Sequence, residues 1–76
     1  MKLDKLIRIA NQVGAFFEAM PDREQAVKDI ASHLRRTWEP RMRVQLLAAL
    51  GGADEAKLKP VVRDAVTALR QSDPGP

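Results

Sequence analysis

Arg35-Arg36-Thr37-Trp38-Glu39-Pro40-Arg41-Met42-Arg43 is the stretch whose reading decides the fold of this chain. Proline has no N–H to give a helix, and its ring fixes φ. A helix arriving through Arg35 and Arg36 must therefore stop before Pro40, and a new one can start on it. Glu39, directly before a proline, is pushed toward extended geometry and can serve as the N-cap. The stretch predicts an elbow between two helices. It also holds the only tryptophan and four of the eight arginines. Arg41 and Arg43 fall in the first turn of the second helix, at the positive end of its dipole, where a cation is disfavoured by about 0.3–1 kcal/mol. Two such cations beside a tryptophan are poor choices for stability alone. The elbow is thus a candidate for contact with something outside the helix.

Outward from the elbow, helical period accounts for nearly every apolar residue. On the N-terminal side, Ala26, Val27, Ile30, Ala31, Leu34 and Trp38 share one face of a helix capped by Asp22. Gln25, three residues on, predicts a capping box, and Glu24 and Lys28 form an i, i+4 pair on the other face. Met20-Pro21-Asp22 separates this helix from a first one. There, Leu3, Leu6, Ile7, Ile9, Ala10, Val13, Gly14, Phe16, Phe17 and Met20 occupy about half of the wheel. A stripe that wide exceeds the ~100° that covers one core, so this helix touches two neighbours, or one neighbour and a partner. On the C-terminal side, a third helix runs from Pro40 through Met42, Val44, Leu46, Leu47, Ala49 and Leu50 to a stop at Gly51-Gly52. Ala53 to Lys59 reads as a loop or single turn. A fourth helix starts at Pro60 and buries Val61, Val62, Ala65, Val66 and Leu69. The expectation is an all-α fold, a small bundle of about four short helices. Residues 1–70 form one domain, and 71–76, polar with Pro and Gly, form a disordered tail.

Composition narrows the function classes. Seventy-six residues make a single domain near the lower size limit for a self-sufficient core. Cysteine is absent, so no disulfide staples the fold and no thiolate ligates a metal. No run approaches the roughly 20 apolar residues of a membrane span. Asp4, Lys5 and Arg8 interrupt any signal-peptide core, and a cytoplasmic location is expected. Thirteen basic residues against ten acidic ones give a net charge of +3, an ordinary solvated surface.

No catalytic constellation stands out. His33 is the sole histidine, and one histidine without cysteine makes no convincing metal site. It reads first as a boundary residue bonding a neighbour or water, and second as a partner contact. Ser32 and His33, adjacent on a helix, point about 100° apart and cannot form a nucleophile–base pair. Gly14 costs about 1 kcal/mol inside a helix relative to alanine. That cost fits close helix packing first, or room for a partner side chain. Arg43 lies inside the apolar face of the third helix. Either its stem packs while the guanidinium escapes, or it pairs with a carboxylate. Trp38 is either the largest core residue or an interface residue flanked by arginine.

Asn11-Gln12-Val13-Gly14-Ala15-Phe16-Phe17, Pro21-Asp22, Ile30-Ala31-Ser32-His33 and Trp38-Glu39-Pro40-Arg41-Met42-Arg43 together resemble the small delta subunit of the soluble NAD-dependent formate dehydrogenases. The resemblance runs from about Leu6 to Leu69. One departure is Lys59, where a small N-cap residue such as serine is expected before Pro60. The resemblance implies a complex that oxidises formate to carbon dioxide and reduces NAD. A catalytic alpha subunit would hold a molybdenum or tungsten pterin cofactor and iron–sulfur clusters, with FMN and further clusters on beta and gamma subunits. It implies that this chain binds none of these groups and is an accessory piece supporting assembly, stability or cofactor loading of the alpha subunit. Trp38, Arg41, Arg43, Arg36, Asn11, Gln12 and Phe16 are the candidates for partner binding. The isolated chain would then expose apolar surface, with self-association through Ile9, Phe16 and Met20. The competing class is a small helical nucleic-acid-binding module using Arg35, Arg36, Arg41 and Arg43. The slight charge excess and the restart on Pro40 count against it.

Overall fold

The computed structural model describes residues 2–72. Four α-helices follow one another: α1 (Leu3–Glu18), α2 (Arg23–Thr37), α3 (Pro40–Leu47) and α4 (Pro60–Ser72), with a 3-10 segment over Ala53–Lys57 before the last. The described residues contain no strand. The expected all-α bundle and its breaks at Pro21 and Pro40 are present. α4 continues through Gln71 and Ser72, which the sequence assigned to the tail. The rest of that expected disordered tail, 73–76, lies outside the described residues.

The core is aliphatic apart from Trp38. Leu6, Ile30, Leu34, Leu46, Val61, Val62, Val66 and Leu69 are fully enclosed, and Ala10, Ala26 and Ala65 fill the spaces between helices. α2 and α4 make the most extensive helix pair. α1 packs on both and also reaches α3. Gly14 is the point of closest approach between α1 and α4. A Cβ placed there would clash with the Val62 Cγ2 methyl and lie 3.5 Å from Val61 Cγ1. The glycine in mid-helix is therefore explained by close packing.

Local chemistry sets the ends of the elements, with three departures from the sequence reading. Asp22 caps α2 as expected, its Oδ1 accepting from the Gln25 backbone N–H at 3.2 Å. The reciprocal half of the capping box is missing, because the Gln25 side chain donates instead to Asp29 Oδ1 at 2.9 Å. α3 ends at Leu47, short of Gly51. Beyond it the backbone tightens to three-residue hydrogen bonds, Ala49 N–H to Leu46 O at 3.0 Å and Leu50 N–H to Leu47 O at 3.1 Å. That tightening turns Ala49 into the core at 2 % exposure. Gly51 then takes a positive φ of 82°, the left-handed conformation that favours glycine, and its N–H donates to Glu55 Oε1 at 2.9 Å. Val44, one of the apolar residues α3 carries, is 53 % exposed.

The third departure concerns the start of α4. No small side chain caps it from position 59. Asn11 of α1 does the work from across the molecule. Its Nδ2 donates to Lys57 O at 2.9 Å, and its Oδ1 accepts from the Lys59 N–H at 3.0 Å. The Lys59 carbonyl accepts from the Arg63 N–H at 2.8 Å and so opens the helix. Lys59 Nζ also reaches Glu18 Oε1 at 3.5 Å. A neighbouring ion-pair cluster joins Lys57 to Asp54 at 3.0 Å and to Asp4 at 3.3 Å. The hydrogen bond that Lys57 donates to Asp54, followed by the one it donates to Asp4, raises the Lys57 pKa. This cluster is exposed, so it orders the loop more than it stabilises the fold.

Candidate functional site

At the elbow, α2 ends because Trp38 swings to extended geometry, φ −95° and ψ 141°, while its N–H still bonds Leu34 O at 3.0 Å. The indole turns inward and is only 7 % exposed, so Trp38 is a core residue. Glu39 caps α3 through its backbone: its carbonyl accepts from Met42 and Arg43 N–H, and its side chain takes no part.

Arg43, half-buried one turn into α3, folds back across the elbow. Its Nη1 donates to Trp38 O at 2.8 Å and to Arg35 O at 3.1 Å. The last carbonyls of a helix have no partner within it, and the C-terminal end carries negative partial charge. Arg43 therefore satisfies α2 with a cation, which offsets its poor position at the start of α3. This bridge to backbone oxygens is a role that the reading from sequence did not name. Arg43→Ala removes two hydrogen bonds from a charged donor, one part-buried and one exposed, and is expected to cost about 1–3 kcal/mol of stability. Urea titration followed by circular dichroism measures this. A midpoint unchanged from the parent would show that the bridge carries no energy.

The remaining arginines of the stretch face out. Arg36 Nε reaches only its own helix, at Ser32 O, 3.3 Å away. Arg35 lends its backbone to Arg43 and keeps its side chain exposed. Arg41 is exposed and has no hydrogen-bond or ion-pair partner among the described residues.

On α1 the expected wide stripe divides. Its centre, Leu6, Ile7, Ala10 and Gly14, is buried against the other helices. Its flank carries Ile9 and Val13, half-buried, and Phe16, which is 76 % exposed. The Phe16 ring stands edge-on to Phe17 with centroids 5.1 Å apart. Phe17 in turn lies tilted against His33 at 6.3 Å, so His33 is a boundary residue beside an aromatic pair. Gln12 is exposed and Asn11 is engaged internally.

The partner-binding candidates thus separate. Trp38, Arg43 and Asn11 have partners inside the chain, whereas Arg36, Arg41, Gln12 and Phe16 face outward. The sequence reading overlooked the outer face of α3. Pro40, Arg41, Val44 and Gln45, at i, i+1, i+4 and i+5, line a shallow open groove there. That spacing was a readable signal, since it places a valine and a proline opposite the buried Leu46.

Among the described residues, no group of three or more His, Cys, Asp or Glu side chains could hold a metal ion. Among the described residues, no helix is long and apolar enough to cross a membrane either. Comparison with known families finds a match over residues 5–66 to the family described as NADH-dependent formate dehydrogenase delta subunit, FdsD. No curated protein and no solved structure matches the chain.

Proposed function

Because the chain belongs to the NADH-dependent formate dehydrogenase delta-subunit family, we propose that it is a non-catalytic accessory subunit of a cytoplasmic complex oxidising formate to carbon dioxide. In this reading it attaches to the catalytic alpha subunit and supports that subunit's assembly, stability or cofactor loading. The electrons pass to NAD through groups held elsewhere in the complex: a molybdenum or tungsten pterin, iron–sulfur clusters and FMN on the alpha, beta and gamma subunits. The observation that carries the proposal is the family match, which runs from the first turn of α1 to the middle of α4. A large aromatic ring left 76 % exposed on α1 supports attachment to another protein.

The proposal is tested by producing the complex with and without this chain. With the chain present and tagged, the alpha subunit is expected to co-purify with it. Without it, formate-dependent NAD reduction per alpha subunit falls, and so does pterin content. A complex of full activity and full pterin content that never retains the tagged chain would refute the accessory role.

A further inference from the structure

The outer face of α3 joins an apolar floor to a cation. Pro40 and Val44 present an apolar floor, with Val44 53 % exposed although it is a valine in mid-helix. Arg41 stands beside that floor in a first helical turn that contains no acidic residue, and it has no partner among the described residues. A cation in that position is unfavourable for the helix itself, and among the described residues no hydrogen bond or ion pair offsets it as the α2 carbonyls offset Arg43. Arg43 holds the end of α2 directly against α3 through Trp38 O and Arg35 O, so the last turn of α2 and the first turn of α3 form one rigid corner.

We propose that the groove over Pro40, Arg41, Val44 and Gln45 is a docking site for an acidic segment of a partner subunit. That segment carries one aliphatic or aromatic side chain for the floor and a carboxylate for Arg41. The inference rests on the accessory-subunit reading above and names the surface that reading needs. Charge complementarity selects the occupant: the guanidinium of Arg41, the charged member of the groove, offers a planar fork to a carboxylate and so favours an acidic segment over a neutral one. The floor selects a protein over a nucleic acid, since a phosphate backbone has nothing apolar to place on Val44. Trp38 and Arg43 contribute only by fixing the corner.

The test uses the full chain, tagged, added to dehydrogenase prepared without it. Variants are Arg41→Glu, Arg41→Lys, Val44→Asp and, as a charge reversal away from the groove, Lys28→Glu. Each is first checked by circular dichroism and urea midpoint, since all three positions are exposed. Arg41→Glu is expected to weaken binding by roughly 30-fold or more, in line with loss of a desolvated charge pair. Val44→Asp does so by roughly tenfold or more, Arg41→Lys retains part of the affinity, and Lys28→Glu stays within about twofold. Rising salt weakens the parent and leaves Arg41→Glu nearly unaffected. If the parent binds and both Arg41→Glu and Val44→Asp bind equally well, the groove is not the docking site, although the accessory role stands. If the parent itself does not bind, the accessory role fails. Salt-steep binding to duplex DNA, lost in Arg41→Glu and kept in Val44→Asp, would replace the proposal with a nucleic-acid surface.

Discussion

Replacing Trp38 with alanine is expected to lower the unfolding free energy by about 3–5 kcal/mol, the usual loss when a buried large aromatic is truncated. A chain of this length has a total stability of only about 4–11 kcal/mol at the usual 0.05–0.15 kcal/mol per residue, so the variant sits near the folding threshold. The size of the effect follows from position. The indole is 7 % exposed in a core otherwise made of Leu, Val, Ile and Ala, and no aliphatic neighbour can swing in to fill its volume. Trp38→Phe keeps much of the apolar area and should lose far less. Chemical denaturation followed by helical circular dichroism measures both, the tryptophan signal itself being gone. An alanine variant within about 0.5 kcal/mol of the parent, the range of a neutral surface change, would mean the indole is not core.

Gly14→Ala carries the second large effect, and its sign runs against helix propensity. Alanine would gain about 1 kcal/mol in an exposed helix. Here its Cβ meets the Val62 Cγ2 methyl. Valine has two heavy atoms on Cβ and little freedom at χ1, so it cannot rotate away and α1 must shift from α4. Such overpacking costs about 1–3 kcal/mol, and Gly14→Val more. A double-mutant cycle with Val62→Ala separates the causes. If steric conflict is the reason, the pair is less destabilised than the sum of the singles by about 0.5–3 kcal/mol, the coupling typical of touching residues. Additive losses would locate the effect elsewhere.

The sequence made the four helices legible because each announces itself locally. Pro40 and Pro60 open helices, Asp22 caps one, and a 3.6-residue period marks the buried faces of α2 and α4 without error among Ala26, Ile30, Leu34, Val61, Ala65 and Leu69. The end of α3 was less legible, because tightening to three-residue hydrogen bonds after Leu47 has no strong residue signature. The site was only partly legible for a related reason. Trp38, Arg41 and Arg43 sit together in sequence and share a composition suited to interfaces. A rotation of about 200° around α3 separates Arg41 from Arg43, placing one in solvent and the other on the carbonyls of α2. Composition cannot tell a guanidinium bound to backbone from one awaiting a carboxylate. Only the path of the chain through Trp38 and Glu39 decides it.

Asn11 has a consequence for the order in which the molecule comes together. The two hydrogen bonds that set the start of α4 come from a residue 46 and 48 positions earlier. Propagation from local sequence alone would leave that first turn weakly nucleated, with Lys59 in place of a capping side chain. The turn is therefore fully secured only when α1 packs against the 3-10 segment, and this end of the last helix is expected to form late. The reverse holds on opening. The amides of Lys59 and Arg63 should not exchange by independent fraying, as helix ends usually do. They should exchange together with α1, as members of one cooperative unit whose two halves lie at opposite ends of the chain.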